Sequence, residues 1–252
     1  MQRLSLEKQH QRYVQQTAWT KPLRDYLFPQ LQLSKHSKIL EVGCGTGALF
    51  SHLADFFSAK LFGIDLHAPS LRYAQTQPYT SLLCQADGLQ LPFASNSFEL
   101  CLCHFLLLWV ANPLQILREM RRVACPKGTV LTLAEPDYGG RIDEPPSLQT
   151  MGNLQRKAVE QQGANVLIGR RVKGLMFQAG FNTVESGVLG GQWKSSTNQA
   201  EQKLEWETFQ HDVQDLLSAD ELQRLKEMEN QAYCSGERVL FIPTFYAAAK
   251  KE

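Results

Sequence analysis

The sequence predicts an α/β fold in which a doubly wound, mostly parallel sheet carries helices on both faces. Three observations point there. Short apolar runs near 38–42, 61–65, 81–86, 98–103 and 128–135 are separated by helical patterns near 46–57, 69–76 and 113–124. Strands alternating with helices need crossover connections, and crossovers give a parallel sheet. Residues with chemistry (Glu41, Asp65, Asp87, His104 and Glu135) sit at or just past the ends of these runs. Right-handed crossovers bring all such ends to one edge, where doubly wound sheets bind ligands. Finally, Gly43, Gly45 and Gly47 follow the first run on alternate positions, which marks a tight turn that a ligand can approach closely.

Residues 1–34 read as an amphipathic helical cap, with Leu4, Tyr13, Val14, Ala18, Leu23, Tyr26 and Leu27 as its apolar positions. Pro22 opens a second helix after Thr20. The strand at 38–42 runs through Glu41 into the glycines, and a helix is expected from Ala48 with its N–H groups facing the bound group. Leu61 to Asp65 forms the second strand and Ser81 to Asp87 the third, each ending in an acid. Beyond the core, 135–146 is a Pro- and Gly-rich loop, followed by helices near 147–162 and 169–180, the latter closed by Gly180. A strand is expected from Phe181 to Leu189, then a polar helical stretch at 198–234 with a capping box from Ser218 to Glu221. The last strand spans Val239 to Ala249, and Pro243 inside it suggests an edge or a bulge.

The glycine segment decides between ligands by charge. Gly43-x-Gly45-x-x-Ala48 satisfies the dinucleotide fingerprint literally. Glu41 argues against it: a carboxylate two residues before the first glycine repels a diphosphate, and no Lys or Arg lies between Leu40 and Ala59 to offset it. The same carboxylate favours a cationic nucleoside such as S-adenosylmethionine (SAM), which carries an ammonium and a sulfonium against one carboxylate. Asp65 follows Gly45 by 20 residues, the interval at which a βαβ unit puts an acid on a ribose. Asp87, with a backbone N–H beside it, suits the edge of an adenine.

Leu40-Glu-Val-Gly-Cys-Gly-Thr-Gly47, Gly63-Ile-Asp-Leu66 and Ala86-Asp-Gly-Leu-Gln-Leu-Pro-Phe93 resemble the successive cofactor motifs of class I SAM-dependent methyltransferases. The nearest type is the small-molecule "methyltransferase type 11" group, related in motif to the ubiquinone and menaquinone methyltransferases. Ser97 to His104 is similar to that family's fourth strand, and Arg118 to Val130 to its helix, turn and fifth strand, although Lys127-Gly128 stands where Gly-Gly is commoner. The resemblance covers residues 36–136. It implies a Rossmann-like, seven-stranded sheet whose last strand is antiparallel, with N-terminal helices and a helical lid insertion. It also implies SAM as cofactor and S-adenosylhomocysteine (SAH) as product. Gly43, Cys44 and Gly45 would line the methionine part and Glu41 would orient it. Asp65 would take the ribose with Leu66 against the adenine, and Asp87 with Gly88 would hold the adenine edge. His104 would sit by the methionine portion. Tyr13 and Trp19 lie on the helices that in relatives close over the cofactor, while Phe105 and Trp109 read as structural.

On this frame residues 1–252 form one domain: a cap at 1–34, a cofactor core at 36–136, and substrate or lid segments at 137–170 and 195–235. Net charge is +1 with no run of five basic residues, which disfavours nucleic acid. Six cysteines, mostly inside strands or the glycine turn, read as reduced, buried thiols in a cytoplasmic protein. Cys101 and Cys103 share one strand face, and no His/Cys cluster indicates a metal. The N-terminus lacks a signal-peptide core, and the longest apolar run, Phe105 to Ala111, is far shorter than the roughly 20 residues that span a bilayer. The partner is therefore a small-molecule acceptor, and the chain a monomer or homodimer.

An oxygen or carbon acceptor needs a base, and the candidates are His104, Glu135, Asp137, Tyr138 and His211. Arg141, Arg170 and Arg171 could pair a substrate carboxylate or decorate helix ends. Met151, Leu167, Trp193, Trp206 and Phe209 suggest a partly apolar pocket under the lid. Two other readings stay open: an NAD(P)-dependent oxidoreductase, for which no Tyr-x-x-x-Lys pair is seen, and a non-catalytic SAM-binding protein.

Overall fold

The computed structural model describes residues 5–79, 81–188 and 199–252, so Leu4, Leu189 and Trp193 lie outside the described residues. The strands are β1 (Lys38–Val42), β2 (Lys60–Asp65), β3 (Ser81–Gln85), β4 (Phe98–Cys103), β5 (Ala124–Pro136), β6 (Ile142–Glu144), β7 (Glu185–Val188), β8 (Val239–Phe241) and β9 (Thr244–Lys250). Seven of them form one sheet in the order β3-β2-β1-β4-β5-β9-β7, and β6 pairs with β8 in a second, two-stranded sheet. The first five strands of the large sheet are parallel, and β9 runs antiparallel between β5 and β7. Strand order reverses between β1 and β4, which puts the crevice of a doubly wound sheet at Glu41 and His104.

Side chains alternate across the sheet with the period of a strand. Leu40, Cys101, Cys103 and Val130 share one face with Ile116, Leu117 and Met120 of α5 (Pro113–Val123) and Met176 of α7 (Val172–Gln178). Their neighbours Ile39, Leu100, Leu102 and Leu131 pack on the other face. There they meet Phe50 and Leu53 of α3 (Phe50–Phe56), Leu71 of α4 (Ala68–Gln75), and Leu23 and Leu27 of α2 (Lys21–Leu27). All six cysteines are free thiols; Cys44, Cys101 and Cys103 are buried as expected, whereas Cys84 and Cys234 are exposed and Cys125 is half-buried.

Several sequence expectations change. Helix α3 starts at Phe50, because Gly43, Gly45 and Gly47 all take positive φ (+73°, +52° and +73°) and keep the chain in turns to Leu49. Pro243 does not bulge one strand but divides two: β8 leaves the large sheet to pair with β6, and β9 returns to it. Strand β6, within the Pro-rich loop, has no sequence signal beyond three residues.

The cap keeps part of its predicted face: Leu23 and Leu27 are buried and Tyr13 points inward, but other positions depart from it. In α1 (Leu6–Trp19), Val14 and Trp19 are exposed, as is Tyr26 on α2, whereas Thr17 and Thr20 are fully buried. The inward stripe is His10, Tyr13, Thr17 and Thr20, polar residues three or four apart on one helical face.

The segments expected to form a lid, called the lid below, hold α6 (Gln149–Gln161), α8 (Gln199–Val213) and α9 (Ala219–Ser235), the last with the expected Ser218–Glu221 capping box. Met151, Trp206 and Phe209 are buried with Leu148 and Val213 in the lid's own core, so they do not line an open pocket. Beside them runs a buried polar chain. Arg141 and Arg238 both bond Asp143, Arg238 also bonds Glu229, and Gln155 joins Arg141 to Asp212. Arg12 of α1 pairs with Asp212 at 3.8 Å, which ties cap to lid.

Candidate functional site

The glycine turn is closed by its own backbone. Gly43 and Cys44 N–H donate to the Ile64 carbonyl at 2.8 and 2.9 Å, and Gly47 N–H donates to the Cys44 carbonyl at 2.8 Å. Gly45 N–H donates to Asp65 Oδ2 at 2.8 Å. These four N–H groups therefore do not form the open anion cradle that a diphosphate requires. Space is tight as well: a Cβ on Gly43 would stand 2.6 Å from Leu106 Cδ1, and one on Gly45 would stand 3.3 Å from the Tyr13 ring. Tyr79 fixes the far end, donating to the Gly47 carbonyl at 2.5 Å.

Glu41 is 3% exposed, and its Oε2 has no hydrogen-bond partner. Burial, with the Asp65 charge added, pushes its carboxyl well above the usual carboxylate range. An acid held this way gains most from a cationic or hydroxyl-bearing ligand that donates to it. Asp65 accepts from Gly45 and, through Oδ1, from His67 N–H at 2.8 Å, which leaves each oxygen a further acceptor site. Asp87 lies past the neighbouring strand, exposed, with Oδ1 accepting from Leu89 N–H at 2.9 Å. Gly88 packs close to β1, where a Cβ would be 3.1 Å from Val42 Cγ1. Leu66 is 64% exposed and so is free to meet a planar base. The Leu91–Phe93 turn is pinned from α5: Glu119 accepts from Leu91 N–H, and Arg122 donates to the Leu91 and Phe93 carbonyls.

The inward stripe of α1 covers this edge. His10 Nδ1 lies 3.0 Å from Thr46 Oγ1, Tyr13 packs on Gly45, Thr17 Oγ1 lies 3.2 Å from His52 Nε2, and Thr20 Oγ1 lies 3.4 Å from His104 Nε2. The apolar pattern drew attention away from these contacts. The signal that could have revealed them is the 10-13-17-20 spacing of polar residues.

The base candidates separate. Burial, helped by Arg24 and His52, lowers His104 to about 3, so it is a neutral imidazole at neutral pH. Glu135 is fully buried, its Oε1 accepting from Leu106 and Leu107 N–H at 3.1 and 2.9 Å and its Oε2 from Leu108 N–H at 3.1 Å. It caps that turn, and burial pushes it up to about 8. Asp137 holds Arg170, and Arg141 is spent on Asp143 and Gln155, so neither arginine is free for a substrate carboxylate. His211 lines a cavity of about 340 Å³ with Lys8 and Arg12. Those two residues point roughly opposite to His10 and Tyr13 around the helix, so α1 separates His211 from the glycine turn. Tyr138 is half-buried, with its phenol raised by burial and with Arg12, Asp212 and Arg141 as charged neighbours. It stands where cap meets lid.

Next to His104, Phe105 takes a left-handed backbone (φ +52°), which is uncommon for an aromatic residue and is often found at functional sites. Its ring meets Trp19 edge-on at 6.3 Å. Trp19 and Trp109 are each 48% exposed, so Trp109 is not the packed residue expected. No group of three or more His, Cys, Asp or Glu side chains arranged to hold a metal occurs among the described residues.

Residues 40–132 match the family model of a methyltransferase domain. The chain is 32% identical over 127 residues to a demethylmenaquinone methyltransferase of Bacillus licheniformis, covering 48% of this chain and 55% of that protein. It is 31% identical over 106 residues to a malonyl-[acyl-carrier protein] O-methyltransferase of Pseudescherichia vulneris, covering 42% of each. The chain thus spans about half the length of the curated relatives it matches. A phosphoethanolamine N-methyltransferase of Haemonchus contortus, solved with S-adenosyl-L-methionine, shares the fold with a TM-score of 0.58 at 14% identity, over 92% of this chain and 52% of that one.

Proposed function

Because the chain belongs to the class I SAM-dependent methyltransferases, we propose that it transfers the methyl group of SAM to a small organic acceptor. The observation that carries this reading is the Glu41–Asp65 pair on a glycine turn whose N–H groups are already engaged. That arrangement suits a nucleoside with donors and positive charge, and it disfavours the diphosphate that the oxidoreductase alternative requires. Glu41 would orient the amino-acid end, Asp65 the ribose, and Asp87 with Gly88 the adenine. Tyr13, laid on Gly45, would close the site from the cap.

SAM supplies a methyl carbon on a positively charged sulfur, already activated toward displacement. The chain's task is then to align the acceptor with that carbon and to exclude water. Trp19, Phe105 and Trp109 offer an aromatic surface beside His104 that suits an apolar or ring-bearing acceptor. Neutral His104 can hydrogen-bond a hydroxyl acceptor and so orient it, its value near 3 making it a weak base, and Tyr138 can position one from the lid side. Six free thiols support a reducing, cytoplasmic setting.

Isothermal titration with SAM, SAH and NADH, followed by radiolabelled methyl transfer into a metabolite fraction, tests this reading. Binding of SAM and SAH with label in a small molecule supports it. Binding of NADH instead, or SAM binding with no transfer to any acceptor, overturns it in favour of one of the alternatives.

A further inference from the structure

Arg24 is 3% exposed, yet it forms no ion pair among the described residues. Its Nη1 donates to the Thr17 carbonyl at 2.6 Å and to Thr20 Oγ1, while Nε and Nη2 have no hydrogen-bond partner there. The adjacent acid, Asp25, is held by Lys21 at 2.6 Å. Its other titratable neighbours are His52 and His104, both favoured in the neutral form. A buried guanidinium without a counter-ion is unfavourable, and such charges are ordinarily paired.

Its position says what would pair it. Along the sheet the order is β3, β2, β1, β4, and past or near those strand ends stand Asp87, Asp65, Glu41 and then His104 with Arg24 beside it. Three acids are followed by one cation. SAM has the matching sequence of groups: adenine, ribose, then an amino-acid end carrying both ammonium and carboxylate. With adenine at Asp87 and ribose at Asp65, the amino-acid end extends toward β1 and β4.

We propose that Arg24 anchors the carboxylate of SAM, while Glu41 faces the ammonium. The inference rests on the SAM reading above and adds a residue outside the family's glycine and acid motifs. Planar guanidinium and carboxylate can pair through two parallel N–H bonds, and Nε with Nη2 form such a fork. The Thr17 and Thr20 contacts hold the fork in place from α1, so the same residue couples cofactor binding to docking of the cap.

Decarboxylated SAM, which lacks only the carboxylate, gives the test by isothermal titration. Wild-type protein is expected to bind SAM about ten- to a hundred-fold more tightly than decarboxylated SAM. Arg24→Met should weaken SAM by a similar factor and leave decarboxylated SAM nearly unchanged, so that the ratio falls toward one; Arg24→Lys should restore part of it. A merely structural Arg24 would lower the melting temperature of the variant and keep the ratio, which overturns the proposal. So does loss of acceptor affinity with SAM affinity intact, which would assign the anion to the acceptor. If Arg24→Met does not fold, the wild-type ratio decides, and equal affinities remove Arg24. Wild-type protein that binds neither compound removes the cofactor reading itself, and this proposal with it.

Discussion

The Asp65 carboxylate reaches back to the Gly45 N–H at 2.8 Å, so the acid at the end of β2 holds the turn at the end of β1. One side chain thereby shapes the glycine turn and offers acceptor capacity to a ribose. Asp65→Ala is expected to weaken SAM binding about ten- to a hundred-fold, the loss of one charge-assisted partner, and to speed hydrogen exchange at Gly45. Unchanged affinity by isothermal titration would take Asp65 out of the site.

Glu135 caps the 106–108 turn, with both carboxylate oxygens engaged by backbone N–H groups. In Glu135→Gln the amide nitrogen must face a backbone N–H, leaving a buried donor unmatched. A destabilisation of about 1–3 kcal/mol follows, a fall of about 3–10 °C in melting temperature, with kcat retained by the folded fraction. A lost kcat at unchanged melting temperature would restore Glu135 as a catalytic candidate.

His104 should make stability depend on acid. Its folded value lies near 3, below the ordinary 6.5, so the unfolded chain takes up this proton first as pH falls. Its contribution is present above pH 6.5 and is lost as pH drops toward 3. Buried Glu135 shifts in the opposite direction, so the isolating measurement is a difference. The stability gap between wild type and His104→Gln in urea unfolding should narrow by about 1.4 kcal/mol per pH unit below 6.5. A gap independent of pH would mean that His104 titrates at the same pH in the folded and unfolded chain, so that burial does not shift it.

Asp143 stands between two buried arginines, Arg141 and Arg238. Asp143→Ala leaves both without that partner, and about 3–5 kcal/mol of stability should be lost. Hydrogen exchange should rise in α6 and α9 before it rises in β1 or β4. Equal loosening of core and lid would show that the network does not belong to the lid.

Lys127 has φ +65°, next to Gly128, where a Cβ would lie 2.9 Å from the Cys125 carbonyl. Lys127→Gly removes left-handed strain of about 1–2 kcal/mol and adds unfolded-state freedom of roughly half that, for a net gain of about 0.5–1 kcal/mol. Calorimetry showing a lower melting temperature would contradict this.

The sheet edge was legible because strand ends and glycines are local signals: Glu41, Asp65 and Asp87 could be placed from their runs alone. The first helix of the cap was partly misread because its buried face is polar, whereas Leu23 and Leu27 of the second are buried as expected. Periodicity of apolar residues favours Val14 and Ala18, while Thr17 and Thr20 are buried by hydrogen bonding to His52 and His104, partners distant in sequence. Glu135 looked like a strand-end base for the same reason, since its partners are N–H groups of a turn nearly thirty residues earlier. The lid aromatics read as a pocket because sequence gives an apolar face without saying which neighbour covers it.

Strands β6 and β8 are outgrowths of β5 and β9, and each pair is joined antiparallel at both levels. A wide swing of that ribbon would therefore strain two inner strands at their shared ladder. Helix α1 has no such strand tether among the described residues: apart from the Arg12–Asp212 pair it rests on the crevice through a few side-chain bonds, while α2 stays packed in the core. Molecules should enter and leave by the lifting of α1, with the bulkier helical roof serving as a fixed wall.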